Sequence, residues 1–518
     1  MIKFTFDNRF VNELPGDQSG SLHSRQTPDV CWASVDPTPV ARPVLLAYSS
    51  AMASLLNLSH EEVHSAAFLQ AFSGNQLLPG MRPYAACYGG HQFGHWAGQL
   101  GDGRAISLGE VINRQGERWE LQLKGAGMTP YSRRADGRAV LRSSLREFLC
   151  SEAMHHLGIP TTRALSLIGT GDSVMRDMFY DGHPNDEPGA IVCRIAPSFI
   201  RFGNFELLAA RGEHELLQRL VDFTIDRDFQ EISKEADDYL SDWFTLVCER
   251  TAKLVVDWLR VGFVHGVMNT DNMSILGLTI DYGPYGWIDN FDPGWTPNTT
   301  DSEWRRYCLS QQPTVARWNL ERLADALSTL ADSRSVLERG LNHFDATLQT
   351  SMTAMLAAKF GWLAWCDTDA ELVETIFDLM QTAQVDMTQF FRALANIEQA
   401  APDLAVLRSA FYQEALYRNH SHLFQGWLQR YAARLSLQQE SDAARRGRMN
   451  LVNPRFILRN YLAQQAIEAA MQNDMTFLER LMQAAQRPYD DNIDADLIAL
   501  RPDWALNKPG CSQLSCSS

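Results

Sequence analysis

The sequence predicts an α+β fold in which a strand-rich part of the chain is followed by a large helical part. Three features lead to this prediction. Glycine-dense residues 88–104 precede two short runs with the polar and apolar alternation of strands. Residues 265–283 hold closely spaced aspartate and asparagine residues around two apolar runs, which predicts a tight turn that carries polar ligands. From Pro313 to about residue 485, the pattern of apolar residues is helical.

The length and composition disfavour several classes of protein. The chain has 518 residues, enough for about two or three domains, and its net charge of −16 disfavours a nucleic-acid partner. It contains no stretch of about 18 consecutive apolar residues, and its N-terminus lacks the apolar core of a secretory signal. The nine cysteines are irregularly spaced, which suits a reducing compartment better than a disulfide framework or a zinc site. We therefore expect a cytoplasmic monomer that binds neither nucleic acid nor membrane.

Residues 1–85 are predicted to form an N-terminal extension that carries no chemistry. Phe4 and Phe6 alternate with polar residues, as in a short strand. A proline-rich loop over residues 36–43 follows, and residues 45–58 are predicted to form a helix.

The glycine-dense segment contains the run Gly98-x-x-Gly101-x-Gly103, followed by Arg104. Glycines let a backbone approach phosphate groups closely with its amide groups exposed, and an arginine adds a bidentate phosphate donor. A tight turn between strands is the alternative interpretation. We predict a phosphate-binding loop at this position.

Two strands are predicted directly after this loop, over residues 105–111 and 118–124. In the second strand, apolar residues alternate with Glu120, Gln122 and Lys124, so Lys124 ends the strand on its polar face. A strand lysine after a glycine-rich loop is the arrangement that binds ATP phosphates in kinases. A surface lysine at a strand end is the alternative.

A helix is predicted from Asp136-Gly137-Arg138 to Leu157, with Glu147 in its middle. In a kinase-like lobe, such a glutamate pairs with the strand lysine and holds it towards phosphate. The alternative is a solvated carboxylate that pairs with Arg142 or Arg146.

Two arginines, Arg194 and Arg201, lie close together in an otherwise acidic sequence. Such a pair is able to clamp a polyphosphate, and ordinary surface ion pairs are the alternative. Strands are predicted over residues 163–167 and 190–195, and helices over residues 205–225 and 236–261.

The polar segment near the middle of the chain is predicted to contain a tight β-hairpin. Two apolar runs, residues 273–276 and 278–280, flank Gly277, so Asn272 and Asp281 would meet at one end. Two hard oxygen ligands held close together suit Mg²⁺, which also takes phosphate oxygens. An ordinary hairpin with a solvated turn is the alternative.

These features follow one another in the order found in protein kinases: glycine loop, strand lysine, helix glutamate, metal-binding asparagine and Asp-Phe-Gly. Here Asp281-Tyr282-Gly283 takes the last position, and Asn272 takes the asparagine position. However, Val267 stands five residues before Asn272, where a kinase has its catalytic aspartate, and valine cannot accept a proton. We therefore predict a protein-kinase-like, two-lobed fold of the pseudokinase type, which is either inactive or performs different chemistry on a nucleotide.

The chain is accordingly divided into five predicted parts. They are an N-terminal extension (1–85), a kinase-like N-lobe with the glycine loop, lysine strand and glutamate helix (86–195), a kinase-like C-lobe with the metal loop (196–335), a C-terminal helical region (336–505) and a flexible tail (506–518).

Long stretches of the sequence match the motifs of a known family. They are YGGHQFGHWAGQLGDGR (88–104), LQLKGAGMTPYS (121–132), ADGRAV (135–140) and HGVMNTDN (265–272), together with the final SCSS. By these motifs, the chain resembles the selenoprotein O family of pseudokinase-fold protein adenylyltransferases over nearly its whole length. Many members of that family carry selenocysteine third from the end, and bacterial members often carry cysteine there, as this chain does at Cys516.

The resemblance implies a kinase-like fold that binds ATP in a flipped orientation. It implies transfer of AMP, rather than of the terminal phosphate, to Ser, Thr or Tyr side chains of target proteins. Bacterial relatives are also associated with UMP transfer from UTP, for which histidine is a further candidate acceptor, and with Mg²⁺ or Mn²⁺ as the metal.

The resemblance also implies roles for individual residues. Asp271 would accept the proton of the protein hydroxyl, and Asn272 and Asp281 would hold the metal. Glu147 would pair with Lys124. The nucleotide would be contacted by Gly101, Gly103, Arg104, Lys124, Asp136, Gly137, Arg194, Arg201 and Asp281.

Two other functions are compatible with parts of this pattern. One is a catalytically inactive nucleotide-binding scaffold, which the joint presence of a base and two metal ligands disfavours. The other is a small-molecule kinase, whose His-Gly-Asp loop resembles His265-Gly-Val267, and the valine disfavours it.

Two cysteines, Cys511 and Cys516, lie at the end of the chain. Because thiols at a mobile end are accessible to oxidants, we expect redox sensitivity there. The two thiols would form a small disulfide, or Cys516 would pair elsewhere near the active site. A flexible tail with two idle thiols is the alternative.

Overall fold

The computed structural model describes residues 2–178, 182–331 and 334–515. Within these ranges the protein has a mixed α+β structure, which confirms the predicted fold class at that level. The strands are β1 (Thr5–Phe6), β2 (Gly16–Asp17), β3 (Trp32–Ser34), β4 (Val44–Tyr48), β5 (Tyr84–Ala86), β6 (His91–Gln92), β7 (His95–Trp96), β8 (Ala105–Ile112), β9 (Arg118–Lys124), β10 (Arg163–Arg176), β11 (Asn185–Ala196), β12 (Phe263–Val264) and β13 (Gly286–Trp287). The α-helices are α1 (Arg9–Glu13), α2 (Ser50–Leu55), α3 (His60–Val63), α4 (Ala66–Phe72), α5 (Leu141–His156), α6 (Phe202–Arg211), α7 (His214–Asp228), α8 (Tyr239–Val261), α9 (Gln312–Leu327), α10 (Ser335–Lys359), α11 (Asp369–Thr382), α12 (Met387–Leu394), α13 (Glu414–Ser436), α14 (Asp442–Val452), α15 (Asn460–Ala470) and α16 (Thr476–Ala485).

The strand-rich part of the molecule is organised around one mixed sheet. Among the described residues, its strand order is β2-β3-β5-β8-β9-β11-β10-β4, and β1 pairs with β8 beside this path. The pair β2–β3 is parallel, whereas β8, β9, β11 and β10 run antiparallel to their neighbours. Strands β1 to β5 all lie within the first 86 residues, so the predicted N-terminal extension contributes strands to the sheet that holds the lysine strand.

The predicted lysine strand is β9, and it lies in the interior of this sheet. Its neighbours are β8 and β11, so the strand has no free edge. Leu121 and Leu123 are completely buried, and so, to within a few per cent, are the polar residues Glu120, Gln122 and Lys124. Buried polar groups need hydrogen-bond partners. The polar face of β9 therefore lies against a polar interior, and Lys124 is not the surface lysine of the alternative interpretation.

The helix predicted over residues 45–58 is wrong in its first part. Val44–Tyr48 forms β4, which pairs with β10, and α2 begins only at Ser50. The hydroxyl of Ser49 accepts a hydrogen bond from the Met52 backbone N–H at 3.3 Å, an N-cap that fixes the start of the helix. A short apolar run fits a buried strand as well as a helix, so periodicity could not separate the two.

The β-hairpin predicted around Gly277 does not form. The chain does turn there, because Gly277 has a φ of 70° and its N–H donates to the Ser274 carbonyl at 3.1 Å. The two arms pair with different segments: Ser274 bridges to Arg201, and Thr279 bridges to Thr161. Because each arm satisfies backbone groups on a neighbouring segment, no ladder forms between the arms.

The helix predicted over residues 205–225 is in fact two helices, α6 and α7. Gly212 has a φ of 71° and ends α6 in the left-handed conformation that glycine adopts without steric cost. The strand predicted over residues 118–124 is present with the same bounds as β9. The other predicted elements are present with shifted ends: residues 105–111 as β8, 163–167 as β10, 190–195 as β11, 136–157 as α5 and 236–261 as α8.

Among the described residues the helices bury their apolar faces in three cores, one of which packs α2, α3 and α4 against the sheet. One core joins α5, which packs on β10 and β11, to α6, α7, α8 and α9. A second core lies mainly among α11, α12 and α13. The helical region predicted from Pro313 to about residue 485 is present as α9 to α16. In the ranges that the structure describes, no helix is long and apolar enough to cross a membrane.

Candidate active site

A cavity of about 540 Å³ collects the residues that the sequence singled out. Its walls come from the glycine-dense loop, the ends of β9 and β11, and the polar segment after β12. Glu147 and Cys511 are not among its lining residues in the described part of the chain. The predicted site residues that line it are Gly101, Gly103, Arg104, Lys124, Asp136, Gly137, Arg194, Arg201, Asp271, Asn272 and Asp281.

The glycines of the loop are required by a close approach of Tyr131. A Cβ on Gly101, whose φ is 85°, would lie 2.5 Å from the Tyr131 ring. A Cβ on Gly103 would lie 2.9 Å from the Tyr131 carbonyl oxygen. Both distances are shorter than real Cβ contacts. The loop thus holds its shape by packing, with its residues at the wall of the cavity.

Lys124 and Glu147 form the predicted ion pair. Lys124 Nζ donates to Glu147 Oε2, and the guanidinium of Arg194 donates to Glu147 Oε1 at 3.2 Å. The alternative partners of Glu147 are engaged elsewhere, because Arg142 pairs with Glu187 and Arg146 stacks over the ring of Tyr285. Helix α5 therefore directs its glutamate towards the lysine strand.

Burial dominates the protonation of this pair. It lowers the pKa of Lys124 to about 7, against the attraction of Glu147, and Arg104 and Arg194 lower it further. Burial alone would raise the pKa of Glu147, but Lys124 and Arg194 together hold it below its usual value. The lysine is consequently sensitive to an additional negative charge in the cavity, which would favour its charged form.

Two buried arginines converge on Asp281. Arg194 donates to Asp281 Oδ1 at 2.7 Å, and Arg201 donates to Asp281 Oδ2. Arg201 also donates to the backbone carbonyl of Asp271 at 2.8 Å. The backbone of Asp281 itself has a φ of 56°, an uncommon conformation for a residue other than glycine. The arginines predicted to clamp a polyphosphate are thus at the cavity, and they are not surface ion pairs.

Asp271 lies on the short helical turn Thr270–Asn272 and is 7% exposed. Its Oδ2 accepts a hydrogen bond from Gln92 Nε2 at 3.2 Å, whereas the buried Oδ1 has no hydrogen-bond partner among the described residues. Burial raises the pKa of Asp271 to about 6, although Gln92 and Arg201 favour its ionised form. A carboxylate of this kind is able to accept a proton near neutral pH.

The oxygen atoms of the cavity fit a divalent cation. Asn272 donates its side-chain N–H to the Val267 carbonyl at 3.0 Å. Its side-chain oxygen is therefore the atom that would bind a metal ion. Both carboxylate oxygens of Asp281 pair with arginines, so Asp281 would bind a cation once those arginines turn to phosphate, whereas the unpartnered Oδ1 of Asp271 is a hard oxygen already available. The described part of the chain contains no group of three or more His, Cys, Asp or Glu residues that could hold a metal. A Mg²⁺ or Mn²⁺ ion would therefore take its remaining ligands from water and phosphate.

A small hairpin formed by β6 and β7 covers the turn Thr270–Asn272, and the sequence did not predict it. His91 donates its backbone N–H to Thr270 Oγ1 at 2.7 Å, and its ring Nδ1 lies 2.5 Å from Glu206 Oε2. A Cβ on Gly90 would lie 2.8 Å from Asp271 Oδ1, so only glycine permits this approach. The hairpin lies within the YGGHQFGHW stretch, whose scattered glycines hide any strand periodicity.

At the mouth of the cavity, Asp136 has a partner that the sequence did not reveal. Arg176 donates to both carboxylate oxygens of Asp136, at 2.8 and 2.6 Å. Burial would raise the pKa of Asp136, but the bonds from Arg176 and from the Arg138 backbone hold it below its usual value. Arg176 also lines the cavity, at the far end of the long strand β10. Because Arg176 is far along the chain from the glycine loop, nothing in the sequence indicated this role.

The tail cysteine Cys511 lies away from the cavity. It is buried, its carbonyl accepts a hydrogen bond from Asn460 at 2.9 Å, and burial raises the pKa of its thiol to about 11. Nearby, Leu514 forms a parallel bridge with Asn298. Cys516 lies outside the described residues. The expectation of a flexible tail with accessible thiols is therefore wrong for its described part, because Cys511 is buried and Leu514 pairs with Asn298. The redox role of the two thiols stays a prediction.

Comparisons with known proteins agree on one family. The family model described as "Protein adenylyltransferase SelO" matches residues 21–486. A protein of Methylobacillus flagellatus named "Protein nucleotidyltransferase YdiU" is 62% identical over 516 residues, covering 99% of this chain and 100% of the relative. Proteins of the same name from Azoarcus sp. and Tolumonas auensis are each 59% identical, over 100% and 99% of both chains, respectively.

Proposed function

Because the chain belongs to the SelO family of protein adenylyltransferases, we propose that it transfers AMP from ATP to Ser, Thr or Tyr hydroxyls of other proteins. UTP is proposed as a second donor, and histidine as a further acceptor. The observation that carries the proposal is the position of Asp271. A buried carboxylate with an unpartnered oxygen shares one cavity with a lysine and two arginines suited to phosphate.

For the fold, we propose a kinase-like arrangement of two lobes. The Lys124–Glu147 pair supports it, because it joins a sheet strand to a helix as in kinases. The first four sequence divisions are kept as proposed domains, with the strands of residues 1–85 completing the sheet of residues 86–195. The fifth, residues 506–518, is proposed as a packed chain end in place of a flexible tail, because Cys511 and Leu514 are buried. We also propose that the protein acts in the cytoplasm, which the free cysteines of the described ranges favour, and that it acts as a monomer.

The transfer step requires a nucleophile, a base and a stabilised leaving group. The acceptor oxygen attacks the α-phosphorus of the nucleotide and forms a new P–O bond. The bond from the α-phosphorus to the oxygen that bridges to the β-phosphorus breaks, and its electron pair leaves with pyrophosphate. The proton of the acceptor hydroxyl passes to Asp271, whose pKa of about 6 leaves it largely ionised at pH 7.

The cationic side chains bind and orient the phosphates. Lys124, Arg194 and Arg201 are buried at the cavity wall, where their charges act in a medium of low dielectric constant. Arg104 lies on the glycine-loop side of the same cavity. A divalent cation held by Asn272 and Asp281 would neutralise phosphate charge and strengthen the pull on the leaving pyrophosphate.

The position of Val267 separates this proposal from a kinase. Val267 lines the cavity and is 6% exposed, at the place where a kinase positions its catalytic aspartate. With the base four residues later, at Asp271, the acceptor would approach a different phosphorus atom. Flipped binding of the nucleotide would place the α-phosphate there. An inactive nucleotide-binding scaffold is the remaining alternative.

Parallel labelling reactions test the proposal. Wild type and Asp281→Ala are incubated with acceptor proteins and ATP or UTP labelled at the α-phosphate, with Mg²⁺ or Mn²⁺. We expect α-label on protein with wild type only, and the stronger reaction identifies the preferred donor. ATP labelled at the γ-phosphate should label nothing. If no donor labels protein with either metal, the result would contradict the proposed transferase and favour the inactive nucleotide-binding scaffold.

A further inference from the structure

A second cavity of about 850 Å³ lies on the other side of the β6–β7 hairpin. Gln92 of the hairpin lines the first cavity, which we call the nucleotide cavity, and the next residue, Phe93, lines the second cavity. The two cavities therefore share this hairpin as a wall. We call the second cavity the acceptor groove; its principal walls are Phe93, His95, Trp304, Arg305, Arg306 and Trp318.

Hydrogen bonds connect the acceptor groove to Asn269, the residue directly before the turn Thr270–Asn272. The Phe93 backbone N–H donates to Asn269 Oδ1 at 3.2 Å and to the Tyr307 hydroxyl at 3.0 Å. The Tyr307 hydroxyl in turn donates to Asn269 Oδ1 at 2.7 Å. Asn269 lies two residues before Asp271 and also lines the nucleotide cavity. A ligand held in the groove is consequently fixed in position relative to the base.

The surface of the groove is aromatic and cationic. Trp304 is 84% exposed, which is unusual for a large aromatic residue on a folded protein. Arg305 is exposed beside it, and the guanidinium of Arg306 lies 4.7 Å from the centre of the Trp318 ring. The Nε of Arg306 is buried and has no hydrogen-bond partner among the described residues. These side chains offer donors and ring faces to a ligand.

The acidic side chain in the groove lining is hydrogen-bonded to the backbone. Asp301 is the carboxylate among the described lining residues, and its oxygens accept the backbone N–H groups of Arg306 at 3.0 Å and Tyr307 at 2.7 Å. These bonds leave the charge of Asp301 in place, but Arg305 and Arg306 outnumber it among the described lining residues, so the lining is net positive on a protein whose net charge is −16. Such a region selects for a negatively charged partner and repels a basic one.

We propose that the acceptor groove binds an extended segment of the target protein in which Asp or Glu residues flank the modified side chain. The flanking carboxylates would bind Arg305 and Arg306, and apolar parts of the segment would pack on Trp304 and Trp318. The acceptor hydroxyl would then extend past the hairpin towards Asp271. This inference rests on the proposed transferase function, and it adds the site and the charge preference for the acceptor.

The test uses two fluorescent peptides that share a central tyrosine and differ in their flanks, glutamate in one and lysine in the other. The proteins are wild type, the groove variant W304A/R305E and the control variant L437A/R446E. Leu437 is 79% exposed and Arg446 is exposed, both in the C-terminal helical region, so the control makes the same charge reversal and truncates an exposed apolar side chain away from the groove. Peptide binding by anisotropy, AMP transfer and nucleotide affinity are measured separately.

We expect wild type and control to bind and modify the glutamate peptide at least about tenfold better than the lysine peptide. The groove variant should lose this preference, mainly through KM, and keep its nucleotide affinity. Equal use of the two peptides by wild type, or an unchanged preference in the groove variant, would overturn the proposed groove. Selective binding of the glutamate peptide without AMP transfer would support the groove but contradict the proposed transferase function.

Discussion

At the scale of single residues, the proposed transfer depends most on Asp271. The carboxylate is buried beside Gly90, receives one hydrogen bond from Gln92 and leaves its other oxygen unpartnered. An unsatisfied buried acceptor costs free energy, so its presence at a cavity wall is typical of a functional group. Its pKa of about 6 is high for an aspartate but still below neutral pH. This combination suits a base that must be ionised before it receives a proton.

The first prediction concerns Asp271→Asn. We expect transfer to fall by about 10²- to 10⁴-fold, because the amide cannot accept the proton, while nucleotide affinity changes little. In wild type, kcat/KM should rise as the pH increases through about 6, because the raised pKa keeps Asp271 protonated and inactive below that value. The measurement is AMP transfer to one acceptor protein between about pH 5 and 8.

The control for this prediction is Asp345→Asn, at a carboxylate that is 54% exposed on α10. It should leave both the rate and the pH profile unchanged. A flat wild-type profile across this range, or an active Asp271→Asn variant, would remove Asp271 as the base.

At the scale of structural elements, the β6–β7 hairpin connects the two cavities to the turn Thr270–Asn272. Its backbone and side chains contact Asn269, Thr270 and Asp271, so a small displacement of the hairpin would move the base. Misplacement of a reacting group by about 1 Å is able to reduce a rate by about 10²-fold. The hairpin is therefore expected to control transfer more than nucleotide binding.

The second prediction is that Gly90→Ala slows AMP transfer by about 10- to 100-fold, because the new Cβ would lie 2.8 Å from Asp271 Oδ1. Nucleotide affinity, measured by calorimetry, should stay within about twofold. The matched control is Gly447→Ala in α14, where a Cβ meets nothing within 4 Å. That change should preserve activity and stabilise the helix by about 0.5–1 kcal/mol. Normal transfer by Gly90→Ala would show that the hairpin is free to adjust.

The elements that the sequence predicted well are those whose pattern has one interpretation. The alternation in β9 and the long apolar face of α5 identify both elements and bring Lys124 to Glu147. The apolar run that forms β4 fits a helix as well as a strand, and its pairing with β10 makes it a strand. The arms around Gly277 pair with distant segments, and no local rule reveals that. The contacts of Gln92 with Asp271 and of Arg176 with Asp136 were not predicted for the same reason, since each joins distant segments.

At the scale of the whole molecule, distant parts of the chain meet around the site. The site was predicted because the order of its motifs matched a known arrangement, although the local hairpin geometry used in that argument was wrong. The end of the described chain also returns to the region after β13. Leu514 is completely buried, donates its N–H to the Pro297 carbonyl at 3.0 Å and accepts from the Thr299 N–H at 2.8 Å.

The third prediction tests this docking of the chain end. Leu514→Ala should reduce the free energy of unfolding by about 2–4 kcal/mol, because it removes a buried side chain and leaves a cavity. Leu506→Ala is the control, since Leu506 is 48% exposed and its truncation should cost less than about 1 kcal/mol. Thermal unfolding of the full chain measures both. Equal effects of the two changes would mean that the chain end is not packed as described.

The most direct test of the central claim is the mass of an acceptor protein after incubation with unlabelled ATP, Mg²⁺ and the wild-type enzyme. Nucleotidyl transfer predicts a mass increase of one adenylyl group per modified side chain, release of pyrophosphate and no such increase with Asp271→Asn. A mass increase of one phosphoryl group with release of ADP would instead identify the protein as a kinase and contradict the account.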